Sequence, residues 1–190
     1  MANVTLTRLA GFAADAKQQR NPQLFLQKLG PLHAQWHSVP ATRRSIGFLL
    51  FHWHVVAYFN DLGLNKTLGV KPYKLADFRP GGRFDQADWA SLTGNPRPAK
   101  TVANLEASSV AIERWHNEAH MVIGDATGAP MMDPSINIFY SAFWDLHGFI
   151  NARFETDLAS FGRAATPKLT TAAKAVASLE SQGVVVMASV

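Results

Sequence analysis

The chain contains no cysteine, which removes disulfides, thiolate zinc sites and thiol nucleophiles. Any metal ion must therefore be held by histidine, carboxylate, methionine or backbone. Long apolar runs are also missing. The longest candidate, Ile46 to Phe59, is 14 residues and carries two histidines, short of the ~20 that a membrane-spanning helix needs, so no membrane partner is expected. Charge is sparse, at 17% of residues. The net charge of +4 would permit a polyanion, yet the basic residues are scattered along the chain, with no stripe interleaved with aromatics, so no nucleic acid is expected either. The first stretch, MANVTLTRLAGFAADAKQQR, lacks the basic-then-apolar layout of a secretory signal, and the expected address is cytoplasmic, with export alongside a partner left open.

What the chain does have is apolar content, 47% over 190 residues, enough for one domain spanning 1–190 with a substantial core. Apolar periodicity predicts helices over 4–19, 22–38, 42–62, 104–123, 136–160 and 166–182. Asn21-Pro22 and Thr166-Pro167 pair a cap with a first-turn proline, Thr42 can cap the third helix, and Gly30-Pro31 is expected to break or kink the second. From Gly63 to Lys100 the sequence turns Pro/Gly-rich, with Tyr73, Leu75, Phe78, Phe84 and Trp89 spaced to anchor a long irregular loop. Gly124 to Pro134 is a second irregular segment. The tail GVVVMASV suits either a short strand or an apolar strip used in association.

Seven histidines, at 33, 37, 52, 54, 116, 120 and 147, all fall on predicted helices. His33/His37 and His116/His120 are i, i+4 pairs, one turn apart on one face, the reach with which two imidazoles bind one metal ion. A single such pair is more often surface or hydrogen-bonded structure than a ligand pair. Here the third helix is apolar around nearly its whole circumference, and a buried imidazole needs a partner for each ring nitrogen. His52 and His54 lie about 200° apart on the helical wheel, so only one of them can face a shared site. His147 sits among Phe143, Trp144, Phe149 and Ile150. Histidines brought by four helices into a cysteine-free core point to two metals in an all-imidazole site, a donor set that suits copper, zinc or nickel better than magnesium or calcium.

His116-Asn117-x-x-His120-x-x-Ile123-Gly124, followed by Phe143-Trp144-x-Leu146-His147-x-x-Ile150-Asn151, resembles the second copper region of the tyrosinase/haemocyanin family of type 3 dicopper proteins. His33-Ala-Gln-Trp36-His37 and the helix Arg43-Arg44-Ser-Ile-Gly-Phe48-Leu49-Leu50-Phe51-His52 resemble its first copper region. The likeness spans about residues 31–62 and 104–155. It implies an all-α fold, an antiparallel four-helix bundle carrying a dinuclear site, with extra N- and C-terminal helices and the long irregular loop. It implies two copper ions, one held by His33, His37 and His52, the other by His116, His120 and His147. That register selects His52 and leaves His54 as a spare, either supporting a ligand or packed against the opposite side. The implied activity is a copper oxidoreductase using O2 to oxidise o-diphenols or o-aminophenols, with hydroxylation of monophenols left open. Asn117 would orient a water that deprotonates a phenol together with a glutamate, for which Glu113 and Glu106 are candidates, although a solvated surface carboxylate is the simpler reading of each. Met131 and Met132 are candidates to roof the second copper, with plain packing as the alternative. Three departures stand out: Ser141-Ala142 replaces the family's Asp-Pro, Asn151 replaces its acid, and no Cys–His thioether can form.

The expected partner is a small phenolic or aminophenolic substrate, with a homo-oligomer or a copper-delivery protein left open. A carboxylate-bridged di-iron bundle would need two Glu-x-x-His motifs, and only Glu113-x-x-His116 occurs. The remaining alternative is a non-enzymatic protein that binds O2, as haemocyanins do, or simply binds copper.

Overall fold

The computed structural model describes residues 4–38, 46–85, 99–165 and 168–182. Among them the chain is all-helical, with no strand. The long elements are α1 (Val4–Gln18), α2 (Gln23–Ser38), α3 (Gly47–Asp61), α6 (Val102–Thr127), α7 (Ser141–Ala164) and α8 (Ala172–Ser181), with two one-turn helices, α4 (Leu64–Thr67) and α5 (Leu75–Phe78), after α3.

Side-chain pairs set the directions. Trp36 lies 6.1 Å from Phe48 and Phe25 lies 6.3 Å from Tyr58, so α2 and α3 run antiparallel. Ser108 donates to Asp157 at 2.8 Å while Trp115 meets Phe149, which makes α6 and α7 antiparallel. Phe59 stacks on Trp144 at 3.5 Å while Trp53 donates to Glu155 at 3.2 Å, reversing α7 against α3. These four helices form the expected antiparallel bundle. α1 packs on α2 and α3, and α8 packs on α7.

α3 is the central element, as its apolar circumference requires. Phe48, Leu49, Leu50, Phe51, His52, Val55, Val56 and Phe59 are all buried. α2 runs through Pro31 without the expected break. Pro31 faces solvent, so the carbonyl left without its helical donor can be hydrated. Gly30, on the buried side, takes its importance from contact: a Cβ there would lie 2.4 Å from the Ser135 carbonyl oxygen.

The other boundaries shift for local reasons. α6 exceeds the expected 104–123 at both ends, because Thr101 accepts from the Asn104 amide at 3.2 Å and Gly128 closes the helix at φ +71°. α7 begins at Ser141 instead of 136, because Asn137–Phe139 forms a 3-10 turn that Trp144 secures by donating to the Ile138 carbonyl at 2.7 Å. The described part of the 63–100 segment, residues 63–85 and 99–100, is more ordered than an irregular loop. Phe78 and Phe84 are fully buried, Phe78 sits 4.8 Å from Trp115, and Pro72 lies against Gly148 of α7. Leu75, expected as an anchor, is 45% exposed. Thr42, Trp89, Thr166-Pro167 and the tail GVVVMASV lie outside the described residues.

Candidate metal centre

The i, i+4 spacing does what it promises on both helices. His33 and His37 bring Nε2 to Nε2 at 3.0 Å, and the ring centres of His116 and His120 lie 4.2 Å apart. α3 inserts His52 between the pairs, 5.6 Å from each of His33 and His37, 5.8 Å from His116 and 4.8 Å from His147. All six expected ligands therefore meet in one cluster, with His37 half-buried and the other five buried. His33, His37 and His52 present ligand atoms within 4.8 Å of one another, the triad expected for the first metal. A second triad of the same size comprises His52, His116 and His147. His52 thus belongs to both, and His120 stands just outside the second.

Ring orientation is fixed from the Nδ1 side. His52 donates to the Phe48 carbonyl and His147 to the Phe143 carbonyl, each at 2.8 Å and each one helical turn back. His33 donates to the Pro134 carbonyl at 2.7 Å, His120 to the Met131 carbonyl at 2.5 Å, and His116 to the Asn117 amide oxygen at 3.2 Å. A neutral imidazole whose proton is on Nδ1 has a bare Nε2, the tautomer a metal requires. Burial is the first reason His33, His116, His120 and His147 stay neutral. It lowers His33 and His120 to about 4, with neighbouring His120 adding to the effect on His33. It pushes His116 and His147 well below the usual imidazole value, reinforced by repulsion from the histidines around them.

Two consequences bear on a metal. The Nε2 atoms of His116 and His147 face each other at 3.1 Å, and when both rings carry their proton on Nδ1, as metal ligation requires, two lone pairs oppose. The Nε2 of His120 is buried with no hydrogen-bond partner among the described residues, which is costly for a polar atom. A cation in the cluster would relieve both. The donor set, imidazole throughout, fits copper, zinc or nickel.

Beside the cluster opens a pocket of about 170 Å³, lined by His37, His116, Asn117, His120, Met131, Met132, Pro134 and Asn137. Met131 is buried in its wall and Met132 is 61% exposed at its edge, so both methionines do border the second half of the site. None of the described residues of the 63–100 segment lines it. Asn117 lines the pocket, but its amide oxygen is committed to His116. Glu113 is buried, 4% exposed, which corrects the reading of it as a solvated surface carboxylate, and it is not part of the pocket wall. Glu106 is half-buried two turns before Glu113 and is likewise absent from the wall. His54 points away from the cluster, with Nε2 2.8 Å from a Glu180 carboxylate oxygen of α8.

The sequence reading missed the segment that does most of the orienting, residues 129–137 between α6 and α7, here called the strap. It supplies the Pro134 carbonyl to His33 and the Met131 carbonyl to His120, one ring from each half. The strap lies close on α2 because Gly30 has no side chain, and it is shaped by Asp133, whose carboxylate accepts from the Ser135 amide at 2.9 Å. The available signals were Gly30 and the Asp133-Pro134-Ser135 turn. Backbone carbonyls themselves leave no mark in a sequence. No protein-family model, curated protein or solved structure matches the chain.

Proposed function

We propose that the chain is a small type 3 dicopper oxidase acting on o-diphenols or o-aminophenols, the first ion held by His33, His37 and His52 and the second by His116, His120 and His147. The observation that carries this reading is the approach of His116 Nε2 to His147 Nε2, 3.1 Å apart, inside a cluster of six imidazoles of which all but His37 are buried. A copper pair in such a cage supplies the two-electron transfer that couples oxidation of two o-diphenols to two quinones with reduction of O2 to two waters. The protein's own contribution is positioning. Carbonyls of Phe48, Pro134, Met131 and Phe143 hold the rings against rotation, and the apolar core around α3 excludes water from the far side of the cluster. The pocket admits a ring directly onto His37, His116 and His120, and its size is close to that of a cavity of about 150 Å³ that accepts benzene.

With no carboxylate among the described residues of the pocket wall, oxidation of diphenols and aminophenols, which ionise or donate more readily, is favoured over hydroxylation of monophenols. The test is metal analysis of the purified and copper-loaded chain, with catechol and 2-aminophenol turnover under oxygen. Two coppers per chain with turnover supports the oxidase. Reversible oxygen uptake without turnover would favour a carrier instead, and dialysed protein that retains no transition metal would remove the dicopper reading altogether.

A further inference from the structure

The pocket wall contains an amide whose position the metal does not explain. Asn137, the last residue of the strap and the first of the 3-10 turn, is 1% exposed and lines the pocket. Its Nδ2 donates to the Met131 carbonyl at 3.0 Å, the same oxygen that accepts from His120 Nδ1. That bond decides which way round the amide sits, because the flipped amide would set one carbonyl oxygen against another. Oδ1 is thereby directed away from Met131, and it is buried with no hydrogen-bond partner among the described residues. A buried acceptor left without a donor weakens the folded state, and a leucine of similar shape would avoid that. Bracing the Met131 carbonyl accounts for Nδ2 alone, since His120 already donates to that oxygen. Oδ1 still lacks a counterpart.

We propose that Asn137 Oδ1 is the acceptor for an O–H or N–H group of the molecule that enters the pocket. The ligand is then a single ring carrying at least one hydrogen-bond donor beside the position that faces the histidines, and a ring without such a donor is excluded. A site that buries an acceptor discriminates against ligands that leave it unpaired, and does so more sharply than an apolar wall discriminates by size. This inference deepens the oxidase reading and takes its ligand class from it. Asn137 acts on selection and leaves the imidazole cage to the histidines.

The test uses the full-length chain without added metal, titrated with catechol, 2-aminophenol and 1,2-dimethoxybenzene. The two donor-bearing rings should bind tighter than the diether by about tenfold or more, the scale of one buried hydrogen bond. Asn137→Leu should bring that ratio to within about threefold while leaving the affinity for the diether in place. A preference that survives the substitution, an equal loss for all three rings, or no detectable binding would each overturn the assignment. Should the variant misfold, the side-chain amide NMR signal of Asn137 in the unaltered chain takes its place. It should shift with catechol and stay put with the diether, and indifference to both overturns the proposal. Donor-selective binding by a chain that takes up no copper would remove the oxidase and keep this seat. Copper uptake with a catechol KM that Asn137→Leu leaves unchanged would do the reverse.

Discussion

In α3 and in α7 a histidine donates from Nδ1 to the carbonyl four residues earlier, and that earlier residue is a phenylalanine in both: Phe48 before His52, Phe143 before His147. Each phenylalanine ring also packs on its histidine, at 4.6 Å and 3.8 Å. The two halves of the site thus repeat one device, and both add an i, i+4 pair from a neighbouring helix. They differ in what holds the pair. In the second half, His116 and His120 take their acceptors from Asn117 and Met131, on the same helix or just beyond it. In the first half His33 takes its acceptor from Pro134, about a hundred residues later in the chain. The second half can orient itself, and the first cannot be oriented until the strap has docked on α2.

The asymmetry centres on His52, which belongs to both triads, and the largest effect should follow from removing it. His52→Ala removes a ligand of the first ion and the ring whose ligand atom lies within 4.8 Å of those of His116 and His147, and is expected to bring copper stoichiometry below one per chain and to abolish catechol oxidation. His120→Ala, which spares the first triad, should leave about one copper bound. Equal copper contents in the two variants, read by metal analysis, would break the comparison. Next comes Gly30→Ala. Its Cβ would fall 2.4 Å from a backbone oxygen of the strap, so the strap must move. Overpacking of this kind costs about 1–3 kcal/mol. Because the strap also orients His33 and His120, copper affinity should fall by about 10- to 100-fold, as when supporting partners of metal ligands are lost. Thermal unfolding and a competition titration measure the two effects separately.

The helices were legible in the sequence because their signals are local. α3 is apolar on all sides, and the four-residue spacing of His33/His37 and His116/His120 sets each pair on one face whatever the tertiary fold. The choice between His52 and His54 was legible only by resemblance, since both lie on α3 and composition ranks neither. The strap's role was not legible, because it depends on main-chain oxygens and on a contact between Gly30 and Ser135 that joins distant parts of the chain. Glu113 shows the same limit. It is buried, and nothing near it in the sequence marks it so.

A milder perturbation is pH. His33, His116, His120 and His147 are held neutral in the folded, metal-free chain at pH values where unfolded histidines already bind protons. Between about 6.5 and 4 the unfolded state therefore binds more protons, and stability falls as pH falls. The contribution is complete above about 6.5, the unperturbed histidine value. Melting of the metal-free protein should show Tm declining steadily over that window. Bound copper, which requires neutral rings, should displace the decline to lower pH. A metal-free Tm that is flat from 7 to 5 would mean that the second half is not buried as described.

The smallest effect is expected at the histidine that faces the other way. His54 and Glu180 are partly exposed, at 18% and 32% of their side chains, and the pair ties α8 to the outer side of α3. Partly solvated ion pairs and hydrogen bonds of this kind contribute about 0–1 kcal/mol, so His54→Ala should lower Tm by a few degrees at most and leave copper content and catechol turnover near those of the unaltered chain. The contrast with His52, two residues away on the same helix, isolates the face of α3 as the variable, because length, helix and residue type are shared. If His54→Ala removed copper as His52→Ala is expected to, the face would not be what decides metal binding, and the account of α3 as the joint between two triads would fail.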